Sequence, residues 1–239
     1  MGMFKAINAL MATIAVALPL STGAAQATPG WMLTQRSMSL GNQAVDQYVY
    51  VSPNGLKLNM PRQKINIVMS APSWTVCFYN ENTKNFYTTS FENWMLDINK
   101  RMGGKADLAR GKWTKGPGGD VAGMKATQYT AGGAAGTGKG ANIRHADCWV
   151  SDQISVPPKI STMISRGYGL PDTPYFPLKV SYVLNNGSLN NVLDTYRTQQ
   201  SDIPDNFFGL PQGYKQVASQ AEVMMDDETQ SILRDLVKD

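Results

Sequence analysis

Residues 46–60 read DQYVYVSPNGLKLNM, and this stretch decides the fold class. Two short segments in which apolar and polar residues alternate, Asp46–Val51 and Leu56–Met60, flank the sequence Ser52–Gly55. Alternation with a period of two is typical of a strand with one buried face. Pro and Asn-Gly are residues that tight turns favour. The stretch therefore predicts a β-hairpin with one buried and one solvated face.

The same pattern continues on both sides of this hairpin. In the first half of the chain it predicts further strands at Trp31–Leu40, Lys64–Ser70, Ser73–Tyr79 and Phe86–Thr89. In the second half it predicts Lys112–Lys115 and Val121–Thr130 around a turn at Gly116–Gly119, then Asn142–Val150, Phe176–Leu184, Val192–Thr198 and a last strand near Gln216–Ala221. Short strands separated by turn residues indicate an antiparallel sheet.

Three segments break the alternation with apolar residues at helical spacing. Ser90 is a good N-cap for a helix that reaches Met102, and Gly103 is placed to end it. Pro157–Arg166 is predicted to be a short helix, because proline is tolerated in a first helical turn. A closing helix is predicted after Asp226. An amphipathic helix laid on a sheet indicates an α+β domain.

The N-terminus reads as a targeting segment. Lys5 precedes an apolar run from Ala6 to Leu20, and Ala25-Gln26-Ala27 matches the small-x-small pattern that signal peptidase cleaves. The run is shorter than the ~20 residues that a membrane-spanning helix needs. We therefore expect residues 1–27 to be a signal peptide cleaved after Ala27 and residues 28–239 to form a single domain. The mature protein is then periplasmic or secreted and not membrane-spanning.

Composition and motifs argue against several functional classes. The net charge is +4 without a dense basic block, so nucleic-acid binding is not expected. The loop Gly133–Gly140 is close to a phosphate-binding P-loop, but Gly140 stands where that motif needs Ser or Thr. His145 is the only histidine, and Cys148 is the third residue after it, so the two would point to opposite faces of a strand. These observations predict no catalysis, no cofactor and no metal.

Cys77 and Cys148 are the only two cysteines. A disulfide between them is compatible with an exported protein, and it would close a loop of about 70 residues, worth roughly 4 kcal/mol in the chain-entropy model. Two separately buried thiols explain the same residues, because a free cysteine packs as a small hydrophobe. The sequence leaves both alternatives open.

Large flexible apolar residues are frequent on the faces predicted to be buried. Methionine adapts to irregular shapes, so such faces suit a cavity that accepts an acyl chain or another apolar ligand. They suit an ordinary filled core equally well. The expected lining residues are Met60, Ile67, Met69, Trp94, Met95, Met102, Met163 and Val180.

The order of these parts resembles one family. The residues that carry the resemblance are Ala71–Val76, Tyr79-Asn80, Tyr87, the helix with Trp94, Pro177–Val180 and Phe208–Tyr214. With the leader and the meander they resemble the exported LolA/LolB-like superfamily. The resemblance implies a strongly curved antiparallel sheet, an unclosed barrel, with helices packed on its concave face.

The resemblance also implies an envelope protein that binds a lipid or other hydrophobic ligand between the curved sheet and the helices at Ser90–Met102 and Pro157–Arg166. The alternative is a structural or protein-interaction module of the cell envelope, with a filled core, a protein partner and no small ligand. A third alternative, an envelope hydrolase or thiol enzyme, requires a convergent triad around His145 or a reactive thiol at Cys77 or Cys148.

Overall fold

Twelve strands form one sheet in the computed structural model, which describes residues 27–38, 44–102, 112–132, 143–167 and 169–225. In chain order the strands are β1 (Ala27–Met38), β2 (Ala44–Ser52), β3 (Gly55–Met60), β4 (Ile65–Ser70), β5 (Val76–Asn80), β6 (Asn85–Thr89), β7 (Thr114–Val121), β8 (Met124–Gly132), β9 (Ile143–Ser155), β10 (Tyr175–Leu184), β11 (Leu189–Pro204) and β12 (Lys215–Gln216). Their order across the sheet is β12-β6-β5-β4-β3-β2-β1-β11-β10-β9-β8-β7. Neighbouring strands are antiparallel, except that β12 runs parallel to β6.

Short helical segments connect or follow these strands. Helix α1 (Phe91–Met102) lies between β6 and β7, and α2 (Pro158–Thr162) follows β9 and continues into a π-helical turn at Met163–Gly167. A 3-10 turn at Asp205–Phe208 follows β11, and α3 (Gln220–Val223) follows β12. Among the described residues, we find no helix with the length and apolar character needed to cross a membrane.

The sheet is unclosed and strongly curved. Its end strands β7 and β12 do not pair with each other in the described residues. The long strand β11 pairs with β10 through Leu189–Asp194 and with β1 through Leu193–Pro204, so it joins two half-sheets. Thr198 on β11 donates a hydrogen bond to the carbonyl oxygen of Ala122, in the β7–β8 turn, at 3.4 Å. Because β10 and β9 lie between β11 and β8, this half-sheet must curl back on itself. The expected α+β fold class is confirmed.

The concave face carries the main core, a single cluster of buried apolar side chains that extends across both half-sheets. It includes Met69 and Phe78 from the first half, and Cys148 and Leu178 from the second. Ile98 of α1 belongs to the same cluster, so the helix packs on the concave face. Burying one large aliphatic or aromatic side chain stabilises the fold by about 1.5–3 kcal/mol. Helix α1 belongs to the connection between β6 and β7, two strands that lie near opposite ends of the sheet.

The chain also crosses the convex face, through residues 203–217, which we call the strap. The strap runs from the end of β11 to β12, which pairs with β6, so it passes over β1 to β5. It covers a second cluster, the convex core, made of Val68, Cys77, Tyr79, Ile203 and Phe208. A Cβ at Gly55 would lie 2.6 Å from Cγ of Phe208, so the strap needs glycine there. The strap therefore packs against the turn of the 46–60 hairpin.

The start of the strap is tied to the same hairpin by polar side chains. Asn54 donates a hydrogen bond from Nδ2 to Oδ1 of Asp205 at 2.9 Å. The Thr28 hydroxyl donates to the same carboxylate oxygen at 3.0 Å. A turn predicted from local sequence thus holds a segment about 150 residues away along the chain.

Local sequence signals located several elements correctly. Ser52 pairs with Gly55 across a two-residue turn, as the 46–60 stretch predicts. Helix α1 ends at Met102 as predicted, and the Ser90 hydroxyl accepts a hydrogen bond from the backbone N–H of Asn93 at 3.2 Å. Both features depend on residues close together in sequence.

The turn predicted at Gly116–Gly119 is wrong. Strand β7 runs through these residues with a register shift between Lys115 and Gly118. The chain reverses instead at Ala122-Gly123, where both residues have positive φ, 52° and 76°. A two-residue hairpin turn of the I′ type requires this conformation. An end strand with an irregularity tolerates Pro117, because proline has no backbone N–H to offer a partner.

The last strand predicted near Gln216–Ala221 is also wrong. Strand β12 contains only Lys215–Gln216, and Ser219 then caps α3 by accepting a hydrogen bond from the backbone N–H of Glu222 at 3.3 Å. Ser followed three residues later by Glu is a capping-box signal that favours a helix start. Residues 1–26, Gly103, the loop Gly133–Gly140 and the helix predicted after Asp226 lie outside the described residues.

Candidate functional site

The candidate site lies between the concave face and the helices that cover it. Leu58, Ile67, Phe78 and Tyr87 form one row across β3 to β6, since each is the register partner of the next. Phe78 is buried, whereas the other three are only partly buried and pack against the main core. A row of large apolar side chains that keep some exposure under a covering helix gives the concave face an apolar surface for a ligand.

The covering helices form one unit, which we call the lid: α1, α2 and the π-helical turn. Lys159 at the start of α2 bonds the Glu92 carboxylate of α1 at 2.6 Å, and its ammonium lies 4.6 Å from the ring centroid of Phe91. The hydrogen bond from Lys159 lowers the pKa of Glu92. Because both side chains are well exposed, the pair positions the two helices more than it stabilises them. A Cβ at Gly167 would lie 3.2 Å from Cγ2 of Ile98, so a glycine allows the π-helical turn to approach α1 closely.

An aromatic contact joins the lid to the sheet. The rings of Trp94 on α1 and Phe78 on β5 have centroids 4.6 Å apart and planes inclined by 60°. Tilted aromatic pairs at this distance contribute about 0.5–1.5 kcal/mol beyond the area they bury. This contact fixes α1 over the first half-sheet.

Most of the lining residues predicted from sequence are packed in or beside the main core. Met69, Trp94, Met163 and Val180 are buried in it, with at most 8% of any of them exposed. Ile67 and Met95 are partly buried beside it, and Met60 is partly buried at the end of β3. The side chain of Met102 lies outside the described part of the chain. Their role in binding a ligand stays a prediction.

Two open clefts lie beside the lid and are lined by other residues. The larger, which we call the Trp113 cleft, has a volume of about 410 Å³ and is lined by Trp113, Tyr129, Ser165, Arg166, Leu170, Pro171 and Asp172. The second, of about 380 Å³, is lined by Val156, Pro158, Ser161, Thr162, Asp172, Thr173 and Pro174. The sequence reasoning missed both clefts. The one signal available was the sequence between Gly167 and Pro174, which is rich in residues that favour loops.

A buried polar row interrupts the apolar concave face where the two half-sheets separate. Gln35 donates from Nε2 to the Thr195 hydroxyl at 2.8 Å, and Gln47 donates from its own Nε2 to Oε1 of Gln35 at 3.2 Å. Nε2 of Gln35 also lies 3.5 Å from the carbonyl oxygen of Pro177, on the part of β10 that has no ladder pairing with β11. Because buried polar groups are costly unless bonded, this network stabilises the junction and sets one boundary of the apolar surface.

The two cysteines are separate buried thiols and form no disulfide. Cys77 belongs to the convex core and Cys148 to the main core, and six strands lie between β5 and β9 in the sheet order. A disulfide requires Cα atoms within about 7 Å of each other, which opposite faces and distant strands do not allow. The bridge that the sequence left open is therefore not made, and the alternative of two buried thiols holds.

We expect neither thiol to react with Ellman's reagent at pH 8 in the folded protein and both to react in denaturant. Burial raises the pKa of Cys77 to about 12 and raises the pKa of Cys148 as well. Since the thiolate is the reactive form, both groups are unreactive at a pH well below these values. A denatured protein that shows no free thiol would contradict this arrangement.

His145 and Cys148 do not face each other. His145 pairs through Nε2 with Oδ2 of Asp147 at 3.1 Å, and its side chain is 39% exposed. Cys148 is fully buried in the main core. The two residues therefore give no local nucleophile–base pair, as their spacing predicts. In the described ranges, no three His, Cys, Asp or Glu side chains lie together in a position to hold a metal ion.

The sequence matches no family model and no curated protein. Among solved structures, similar chains include an uncharacterized conserved protein from Thermus thermophilus, with a TM-score of 0.47 and 10% identity over 80% of this chain and 90% of that one. They also include MucB of Pseudomonas aeruginosa in its complex with MucA, with a TM-score of 0.44 and 10% identity over 80% of this chain and 59% of that one. A LolA superfamily protein from Nitrosomonas europaea has a TM-score of 0.21 and 10% identity over 85% of this chain and 92% of that one.

These similar structures include a member of the superfamily that the sequence resembles. At such identities and TM-scores they assign neither a family nor a function. The class of protein is therefore defined by the structure itself. It is an unclosed, curved antiparallel sheet with a helical lid over an apolar concave face.

Proposed function

We propose that this protein is an exported binding protein of the cell envelope that holds a lipid or another hydrophobic ligand between the concave face and the lid, without catalysis. The observation that carries the proposal is the row Leu58, Ile67 and Tyr87, which stays partly exposed although it lies beside the main core. Ligand binding at this surface gains about 25 cal/mol for each Å² of apolar area removed from water, before ordering costs.

The arrangement of the lid supports the same function. Helix α1 belongs to the connection between strands near opposite ends of an unclosed sheet, so it can move relative to the sheet without breaking a strand ladder. Its ion pair with α2 is exposed and therefore weak. A lid held mainly by side-chain packing can let an apolar ligand enter.

Replacing Leu58 by tryptophan is expected to lower the affinity for an apolar fluorescent probe, N-phenyl-1-naphthylamine, by about tenfold or more, because the larger ring occupies the ligand's space. Fluorescence titration measures the affinity, and thermal unfolding measures stability. If the space beside Leu58 is hollow, the unfolding midpoint stays close to that of the wild type. If it is filled, the extra atoms overpack the core and cost about 1–3 kcal/mol.

A matched control is Leu189→Trp, since Leu189 is 64% exposed. We expect this variant to bind the probe as the wild type does. A wild-type chain that binds no probe, or a Leu58→Trp chain that binds it unchanged, would overturn the proposal.

The second candidate function is a structural or protein-interaction module with a filled core. It is favoured by the burial of Met69, Trp94, Met163 and Val180, four of the expected lining residues, inside the main core. An overpacking cost for Leu58→Trp together with a protein partner and no bound lipid would support this alternative.

A further inference from the structure

The Trp113 cleft has the size and composition of a small-molecule site. Its volume of about 410 Å³ lies within the ~300–1,000 Å³ typical of ligand pockets. Leu170 is a member of the main core, and Trp113 and Tyr129 pack against it. The cleft therefore borders the same apolar core as the concave face, at its second half-sheet.

The aromatic walls of the cleft are held in place. The indole Nε1 of Trp113 donates a hydrogen bond to the carbonyl oxygen of Gly169 at 3.2 Å. Tyr129 on β8 is the register partner of Cys148, so it lies on the concave side. Leu170 and Pro171 are buried. Fixed aromatic faces attract an ammonium or quaternary ammonium group through the charge distribution of the ring.

The lining also contains Ser165 and two exposed side chains of opposite charge. Arg166 comes from the π-helical turn, and Asp172 comes from the loop that follows it. A guanidinium binds phosphate through two parallel hydrogen bonds, whereas a carboxylate attracts an ammonium group. A ligand with a single charge would meet one favourable and one unfavourable side chain, and a zwitterion would satisfy both.

We infer that the Trp113 cleft binds the zwitterionic head group of an amphiphile, a phosphate joined to an ammonium or quaternary ammonium group, whose chain extends toward the concave face. The phosphate lies against Arg166, and the cationic end lies against Asp172 and the aromatic rings. The part of this inference that concerns the ligand's chain rests on the proposed function. The part that concerns the head group rests on the cleft alone.

The test compares three amphiphiles that share a decyl chain: decylphosphocholine, decyl phosphate and decyltrimethylammonium. Each is titrated by calorimetry into the full chain, below its critical micelle concentration. We expect the wild type to bind decylphosphocholine about tenfold more tightly than decyl phosphate, which lacks the cation, or decyltrimethylammonium, which lacks the phosphate. Arg166→Gln should remove the preference over decyltrimethylammonium, and Asp172→Asn should remove the preference over decyl phosphate.

Control variants use another exposed pair of opposite charges, Lys125 and Asp120, whose side chains lie 3.1 Å apart. Lys125→Gln and Asp120→Asn should leave all three affinities unchanged, which separates a local effect from a change in net charge. Equal affinities for the three amphiphiles, or unchanged preferences in Arg166→Gln and Asp172→Asn, would overturn the inference.

A fourth titration uses glycerophosphocholine, which has the head group without a long chain. We expect it to bind at least tenfold more weakly than decylphosphocholine, because it buries little apolar area. If glycerophosphocholine binds as tightly as decylphosphocholine, the inference that the ligand is an amphiphile is wrong, and the cleft is a site for a free head group. Failure of the proposed function is seen separately, as a Leu58→Trp variant that binds the apolar probe and decylphosphocholine unchanged.

Discussion

Replacing Phe208 by alanine is expected to lower the free energy of unfolding by about 3–5 kcal/mol, the usual cost of removing a buried phenylalanine. Phe208 is only 2% exposed and lies in the convex core with Val68, Cys77 and Ile203. Its ring lies over Gly55, which has no side chain that could fill the space left when the ring is removed. Denaturation in urea, followed by tryptophan fluorescence, measures the change.

Leu210 provides the matched control within the strap. It is 59% exposed, so Leu210→Ala should stay within about 0.5 kcal/mol of the wild type. In Phe208→Ala we also expect Cys77 to react faster with Ellman's reagent than in the wild type, because the strap shields that thiol. A Phe208→Ala chain as stable as Leu210→Ala would mean that the strap does not pack on the convex face.

Replacing Trp94 by alanine is the second large change, and we expect it to cost about 3–5 kcal/mol as well. Trp94 is 7% exposed and is the residue of α1 that contacts the Phe78 ring of β5. The variant loses both the buried area and the aromatic contact that fixes the lid. Urea denaturation measures the stability, and titration with N-phenyl-1-naphthylamine should show a changed affinity, since the lid covers the proposed site.

Leu96 lies two residues farther along the same helix and is 57% exposed. Leu96→Ala removes a large apolar side chain from α1 without touching the core, so we expect a stability within about 0.5 kcal/mol of the wild type. Equal stabilities for Trp94→Ala and Leu96→Ala would contradict the packing of α1 on the concave face.

The sequence predicts an element correctly when the interactions that form it lie within a few residues of each other. The 46–60 hairpin and helix α1 agree with expectation because alternation, a Pro-Asn-Gly turn and a serine N-cap act within a few residues. The turn expected at Gly116–Gly119 is absent, because the glycine at position 119 allows a close contact between strands and does not form a turn. A Cβ at Gly119 would lie 2.7 Å from the Trp149 ring, a contact between strands that the local sequence does not reveal.

Contacts between distant parts of the chain could not be predicted. The strap depends on Phe208 meeting Gly55, and the curl of the second half-sheet brings Thr198 to Ala122. Alternation predicts which residues of a strand are buried. It does not predict on which of the two faces of the sheet they are buried. For the same reason it could not separate the face of Cys77 from that of Cys148.

The candidate site was predictable in kind but not in detail. Counting apolar residues on inward faces identified members of the main core such as Met69 and Val180. It did not identify Leu58 and Tyr87, which keep partial exposure on the concave face. The Trp113 cleft combines residues from three separate segments, so only the fold brings them together: Trp113, Tyr129, and Ser165, Arg166, Leu170, Pro171 and Asp172.

The proposed binding function is tested most directly by analysing the protein purified from its own host without detergent, using native mass spectrometry and lipid extraction. We predict a folded chain that carries a non-covalent adduct of lipid mass, which the Leu58→Trp variant purified in the same way lacks. The Leu189→Trp control should retain the adduct. A chain of bare mass that also fails to take up an apolar probe or decylphosphocholine would contradict the account.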